Sequence, residues 1–357
     1  MPGTSTIHTL WRSSYLVDRC FWLTLLFGCV ILPVARAQDC CGVTAPAAPE
    51  SEWSFRKEVN EVNVLFVAKR HGKFVSDLAQ SDITVVDDSK PAKTILGFRT
   101  ERNLALRVGL LIDTSDSLTG RFSFEQAAAS AFLRHVLSQS DDLAFVLGFS
   151  GVSRLTQDFT HDPDVLSQGV KQLAIGGETA LYDAVGVASD KLRTHSGKDN
   201  VARILVILSD GENNTGTLDL NGAIESAQQA EVSVYAISTR YERVDLDHQR
   251  TTTKGDLNLR KLAEDTGGLL LRPDRPKDEP SAFAEVVKEL RARYAISYRP
   301  VDFTSDGHYR TIKIEARKNG KRLKVRARKG YFARGVGDTR LAKTEESRSF
   351  PHSLREH

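Results

Sequence analysis

Residues 104–112 read Leu-Ala-Leu-Arg-Val-Gly-Leu-Leu-Ile, and the run ends in Asp113-Thr-Ser115-Asp-Ser117 just before a helix-forming stretch. A short, almost uninterrupted apolar run marks a strand buried on both faces, which is the habit of parallel sheets covered by helices. Such a strand delivers whatever follows it to the carboxyl edge of the sheet, where open α/β folds gather ligands. Here one carboxylate and two hydroxyls follow it.

The same pattern recurs downstream. Buried strands are expected at 105–112, 143–149, 203–208 and 232–238, with a shorter one near 269–272 and an antiparallel edge strand at 152–157. Helices are expected at 122–138, 163–174, 180–194, 219–230, 256–265 and 280–292. Strands alternating with helices imply crossover connections and a mostly parallel sheet with helices on both faces.

On either side the periodicity changes to two. Val59–Ala68, Ile83–Val86 and Thr94–Arg99 alternate apolar with polar residues, with Arg70-His-Gly72 and Asp87-Asp-Ser-Lys-Pro91 as turns. After the last helix, Tyr294–Arg299, Tyr309–Arg317 and Arg322–Lys329 alternate again, with turns at Ser305-Asp-Gly307 and Asn319-Gly320, the latter a hairpin signal. Because a two- or three-stranded sheet is marginal alone, the two flanks are expected to fold together as a small β-sandwich into which the α/β unit is inserted. The expected organisation is a signal peptide (1–37), a flexible leader (38–55), a β segment (56–103), the α/β domain (104–292), a second β segment (293–333) and a disordered tail (334–357).

Residues 1–37 carry Arg12 and Arg19, then an apolar core from Cys20 to Leu32, then Pro33 and Ala35-Arg36-Ala37. This basic, apolar, small-x-small order is that of a secretory signal, with cleavage expected after Ala37. An uncleaved anchor is the alternative, although the core is shorter than the ~20 residues of a spanning helix. No later stretch is long or apolar enough to span a bilayer. Export places the chain in the periplasm, at the cell surface or outside the cell. Of the four cysteines, Cys20 and Cys29 leave with the signal, and the adjacent Cys40 and Cys41 do not make a disulfide framework.

Hydrophobic residues make up 40% of the chain and charged residues 27%, the balance of an ordinary globular protein. The charge is unevenly placed: residues 104–290 hold 28 acids and 19 bases, whereas 291–334 hold 3 acids and 14 bases. The basic residues alternate with apolar ones in strand-like runs, so the solvated outer face of a sheet accounts for them better than an anionic polymer or lipid surface does. Nucleic acid is not an expected partner.

Three loops converge if the α/β reading holds: Asp113-Thr-Ser115-Asp-Ser117, Gly176-Gly-Glu178-Thr179-Ala-Leu-Tyr-Asp183, and Leu208-Ser-Asp210-Gly211-Glu-Asn213. Asp113 and Asp210 each follow an apolar run ending at the same sheet edge, and Thr179 opens a helix after a Gly-Gly turn. All of these side chains offer oxygen, which selects hard cations such as Mg²⁺, Mn²⁺ or Ca²⁺. The capping of helices and turns by the same residue types is the competing explanation.

In these motifs the chain resembles von Willebrand factor type A domains and their metal-ion-dependent adhesion site. The resemblance implies a Rossmann-like α/β fold and a ligand set of Asp113, Ser115, Ser117, Thr179 and Asp210, with hydroxyls binding the ion and the aspartates binding directly or through water. Mg²⁺ is the expected ion, since it keeps waters that a ligand oxygen can replace. Glu178 stands where the family commonly has a small residue, and it could add a third carboxylate or alter the grip on an acidic partner. Asp116 and Asp183 are expected to be a loop charge and a helix first-turn charge, and Tyr182 an ordinary helix contact. The flanks, from Val62 to Gly97 and from Tyr294 through Arg326-x-Arg-Lys-Gly-Tyr-Phe332, are similar to a bacterial secreted family, the acidobacterial-type VWFA-related domain proteins.

Enzymatic signatures are missing from the sequence: there is no Gly-x-x-x-x-Gly-Lys-Ser/Thr phosphate loop, no Gly-x-Ser-x-Gly elbow and no His-Glu-x-x-His helix. The expected function is non-enzymatic adhesion-type binding of a protein or peptide that offers a carboxylate to the bound cation. The alternative is an envelope structural or assembly scaffold in which the metal is only structural. Asn213-Asn-Thr215 is a glycosylation sequon that matters only in a cell that glycosylates such sites.

Overall fold

The structure, a computed structural model, describes residues 61–101, 104–116, 122–195, 201–241 and 252–333. The expected signal peptide, leader and tail lie outside the described residues, and so does Ser117. The chain opens with β1 (Val62–Arg70), β2 (Lys73–Phe74), β3 (Ile83–Asp87), β4 (Lys90–Pro91) and β5 (Thr94–Thr100). It continues with β6 (Ala105–Asp113), α1 (Phe122–Val136), β7 (Leu143–Phe149), β8 (Ser153–Thr160), α2 (Pro163–Lys171), α3 (Leu181–Thr194) and β9 (Val201–Ser209). Then come α4 (Leu220–Gln229), β10 (Val232–Ser238), α5 (Lys254–Asp265), β11 (Leu270–Leu271) and α6 (Glu279–Leu290). Last are β12 (Tyr294–Arg299), β13 (Tyr309–Lys318), β14 (Lys321–Arg322), β15 (Lys324–Ala327) and β16 (Gly330–Phe332).

The central sheet has the order β11-β10-β9-β6-β7-β8, parallel throughout except for β8, which runs antiparallel to β7 at the edge. The strand period of two assigns its side chains. Leu106, Val108, Leu110 and Ile112 of β6 pack on one face against Phe132, Val170 and Phe283 of α1, α2 and α6. Leu111 packs on the other face with Val185, Ala223 and Leu259 of α3, α4 and α5. Each fully buried residue of this kind contributes about 1.5–3 kcal/mol of apolar transfer, so both layers of helices are held by the strands between them. Helix starts are also locally encoded: Asp162 accepts N–H bonds from Asp164 and Val165, with Pro163 as the first helical residue.

β6 and β9 are neighbours although they are not consecutive. From β6 the chain proceeds to one side of the sheet and from β9 to the other. This reversal opens a crevice outside their carboxyl ends.

The flanking strands form two antiparallel sheets, β15-β1-β12-β5 with β2 added on β1, and β14-β13-β3-β4 with β16 added on β13. Val62, Val64 and Phe66 of β1, Ile83 and Val85 of β3, Tyr294 and Ile296 of β12, and Ile312 and Ile314 of β13 share one core. Segments from both ends of the chain therefore interleave in a single sandwich. Its buried Asp87 is satisfied by the hydroxyls of Tyr298 at 2.6 Å and Tyr331 at 3.0 Å.

Residues 322–329, expected as one strand, are divided. β14 pairs with β13, Leu323 turns inward with its N–H on the Ala316 carbonyl at 2.9 Å, and β15 pairs with β1 in the opposite sheet. The alternation survives this corner, because Leu323, Val325 and Ala327 all meet the sandwich core, but the pairing partner changes.

The basic end of the chain also differs from a plain solvated face. Arg317, Lys321, Arg322 and Lys324 are exposed as expected. Lys329 instead lies 2.6 Å from Asp265, Arg328 3.3 Å from Glu231 and Arg291 2.5 Å from Asp142, and Arg326 pairs with Glu289. Asp265, Glu231 and Glu289 belong to the α/β unit, so part of the charge asymmetry is a complementarity between the two parts of the fold; Arg310, Lys318 and Arg322 pair with acids of the sandwich itself. Arg291 and Asp142 both lie in the α/β unit. Asp142 is fully buried and also accepts N–H bonds from Leu106, Ser138 and Gln139, which makes this pair a fixed joint rather than a surface contact.

Candidate metal centre

The end of β6 supplies Asp113 and the end of β9 supplies Ser209 and Asp210, directly at the crevice. Asp113 is 1% exposed. Its Oδ1 accepts the Ser115 N–H at 3.0 Å and its Oδ2 accepts the Ser209 hydroxyl at 2.7 Å. Burial pushes the Asp113 carboxyl up from its ordinary range; the bonds from Ser115 and Ser209 oppose this, and the nearby Asp210 charge adds to it.

Backbone bonds stitch the second loop to the first: Gly176 N–H donates to Thr114 O at 2.8 Å and Asp116 N–H to Gly177 O at 3.4 Å. The third loop is tied to the second, since Thr179 O accepts from Asn214 N–H at 2.8 Å and from Thr215 N–H at 3.2 Å. Asn213 Oδ1 accepts the Tyr182 N–H at 3.0 Å, which satisfies an orphan donor in the first turn of α3. Ala180 N–H donates to Ser150 O at 2.7 Å, anchoring the start of the same helix to the end of β7. Ser115 and Thr179 are buried, and no hydrogen bond among the described residues uses the Thr179 hydroxyl.

Asp210 is partly exposed, with Oδ1 accepting the Glu212 N–H at 3.1 Å. The turn beneath it depends on Gly211, whose φ is +80° and whose position lies so close to α5 that a Cβ would stand 2.3 Å from Gly255 O. A side chain there is excluded by both conformation and space.

The structure thus brings Asp113, Ser115, Thr179 and Asp210 to one edge, while Ser117 is outside the described residues. Glu178 is exposed on the loop, one residue before Thr179. Asp183 is committed elsewhere: its carboxylate accepts the N–H groups of Thr217 at 2.9 Å and Leu218 at 2.7 Å. Tyr182 packs in the helix–sheet core. Asn213, read from sequence as a sequon, uses its side chain inside the fold, donating also to Thr215 O at 3.0 Å. Sequence reading missed Ser209 and Asn213 as supports of the site. The available signal for Ser209 was a hydroxyl directly after the apolar run Ile204–Leu208, where a buried polar group requires a partner.

Among the described residues no three His, Cys, Asp or Glu side chains gather as a metal-ligating cluster. The donor set at the crevice is two carboxylates with neutral hydroxyls. This set suits hard cations, and the Asp113 and Asp210 oxygens keep lone pairs beyond the bonds described.

Residues 108–212 match the family model of the von Willebrand factor type A domain. No curated protein matches the chain. Among solved structures, an aerotolerance-related membrane protein from Bacteroides fragilis is 18% identical, with 52% of this chain and 99% of that chain covered and a TM-score of 0.40. The von Willebrand factor domain of a type V pilus tip protein from Porphyromonas gingivalis is 14% identical, with 52% and 95% covered and a TM-score of 0.42. A von Willebrand factor type A protein from Catenulispora acidiphila is 13% identical, with 72% and 71% covered and a TM-score of 0.42. The matched segment runs from β6 to the loop after β9 and contains Asp113, Ser115, Thr179, Ser209 and Asp210, whereas Asn213–Thr215 and Gly255 lie beyond it. Over residues 108–212, then, this chain is similar to the von Willebrand factor type A domain.

Proposed function

We propose that the protein is an exported, non-enzymatic binding protein whose type A domain holds a divalent cation, Mg²⁺ foremost, and offers it to an acidic group of a protein or peptide partner. The observation that supports this reading is the stitching of three loops, distant in sequence, into one crevice where Asp113, Ser115, Thr179 and Asp210 converge. Those residues would hold the ion, with Ser117 as the sequence motif places it. A bound cation supplies a Lewis-acidic position that a partner carboxylate can fill.

The chain's own residues set the strength of that position. Ser209 and the Ser115 N–H fix the orientation of Asp113. Neutral hydroxyls at Ser115 and Thr179 leave part of the ion's charge for the partner, and Glu178, exposed beside Thr179, tunes the approach of an acidic group. Export rests on the signal-like order of residues 1–37. Among the described residues no helix is long and apolar enough to cross a membrane.

Calorimetric titration of the protein with Mg²⁺, Mn²⁺ and Ca²⁺ tests the site. Saturable heat is expected for the native chain and none for Asp113→Ala; equal heats refute the assignment. Partner capture with and without chelator then separates ion-mediated binding from scaffolding, since partners that survive chelation unchanged favour a scaffold.

A further inference from the structure

At the opposite end of the central sheet, between its amino-terminal edge and the sandwich, lies a cleft of about 150 Å³ whose charged lining includes Arg99, Glu101, Arg203, Glu231 and Arg328. Arg203 is the third residue of β9, and Arg328 follows β15, so the α/β unit and the sandwich each contribute a guanidinium. Their side chains are 16% and 13% exposed, and both face one carboxylate, that of Glu231, at 3.5 Å and 3.3 Å. Charge-assisted N–H···O bonds ordinarily measure about 2.7–2.9 Å, so Glu231 serves neither guanidinium well. The Nε atoms of Arg203 and Arg328 are buried and unpartnered among the described residues. Arg99 brings a third guanidinium, which Glu101 neutralises.

Glu231 is the movable member of this group. It sits in the turn between α4 and β10 at φ +54°, a conformation that a non-glycine residue seldom adopts, and its side chain is 56% exposed. A rotation into solvent frees two guanidinium forks that the rest of the fold holds in place. Arg328 is fixed by a 2.8 Å bond to Asn63 O, and Arg203 lies within β9 between β6 and β10.

We propose that this cleft binds a divalent oxyanion of the phosphate class between Arg203 and Arg328, in place of the Glu231 carboxylate. A phosphate group carries about −1.5 to −2 charge at pH 7, which matches two guanidiniums once Glu231 has turned out. Planar guanidinium forks suit its paired oxygens. The site is separate from the candidate metal centre and stands or falls independently of it.

The test is calorimetric titration of the full chain with inorganic phosphate, and in a second arm with glycerol phosphate, at constant ionic strength in chloride buffer with chelator present, so that no cation bridges the anion. Saturable binding of one phosphate per chain is expected. Arg203→Gln and Arg328→Gln each weaken it about tenfold or more, as loss of a charge-assisted bidentate contact does. Glu231→Gln tightens it, because the competing charge is gone from an exposed position that leaves the fold undisturbed. Tighter binding of the glycerol ester assigns a phosphate monoester as ligand, and equal or weaker binding assigns the free anion. Absence of saturable heat in both the native chain and Glu231→Gln overturns the proposal, as does unchanged affinity in a folded Arg203→Gln chain.

Discussion

Replacing Ser209 by alanine removes a single oxygen from the floor of the crevice. That oxygen donates to Asp113 Oδ2 at 2.7 Å and accepts the Gly211 N–H at 3.1 Å, in a residue with no exposure. A hydrogen bond to a charged acceptor is worth about 1.5–3 kcal/mol, and a buried donor left without its acceptor costs about 1–3 kcal/mol. Both effects pass through one atom and are not additive, so about 3 kcal/mol of stability is expected to be lost in chelator. Urea denaturation measures this as a shift in midpoint at unchanged slope. In a cation titration, Asp113 without its orienting donor is expected to bind about 10–100-fold more weakly, the usual effect of losing a support behind a metal ligand. Ser209→Thr keeps the hydroxyl and is expected to recover most of the affinity. A Ser209→Ala chain within about 0.5 kcal/mol of native stability, the range of inconsequential surface changes, and with unaltered cation affinity refutes the assignment of Ser209 as the support of Asp113.

Other perturbations probe the frame around the site. Arg291→Ala leaves Asp142 buried with only its backbone donors, so a loss of about 3 kcal/mol is expected in denaturant melts, at the low end for a broken buried pair; Arg291→Lys recovers only part of it, since the guanidinium also reaches Leu104 O and Val136 O. Gly211→Ala meets both a positive φ and the Gly255 carbonyl, so a loss of about 2 kcal/mol or more and a weaker cation response are expected from the same two measurements. Asp265 is partly buried, which raises its carboxyl, but hydrogen bonds from Lys261 and Lys329 outweigh this and hold it below the ordinary range. A depressed folded-state value gives stability that is whole above the unfolded value of 3.8 and fades as pH falls through the folded one. The stability gap between native and Asp265→Asn chains should therefore be constant near neutrality and close in acid melts below that value; a gap that widens in acid contradicts the pairing.

Much of the frame was legible without coordinates, for a physical reason that particular residues show. The apolar runs 105–112 and 203–208 are buried on both faces, so their composition alone marks them as central strands, and the structure extends them only to Asp113 and to Val201–Ser209. Because such strands end at one edge, Asp113 and Asp210 could be placed together although 97 positions separate them. The alternation of the flanks similarly predicted a shared sandwich, and β1 pairs with β12 and β15 as that required.

Local patterns do not carry the identity of a partner across space. Nothing near residue 209 in the chain indicates that its hydroxyl serves a carboxylate 96 residues away, or near Asn213 that its amide oxygen accepts a first-turn N–H of a helix from a residue 31 positions earlier. The break at Leu323 is invisible to periodicity, because the same alternation suits either sheet of the sandwich. The basic end of the sequence was legible as charge, but its destination against Asp265, Glu231, Glu289 and Asp142 was not. Periodicity assigns a residue to a face or an edge because that depends on its neighbours in the chain; which hydroxyl meets which carboxylate, and which arginine meets which acid, depends on how separate elements pack.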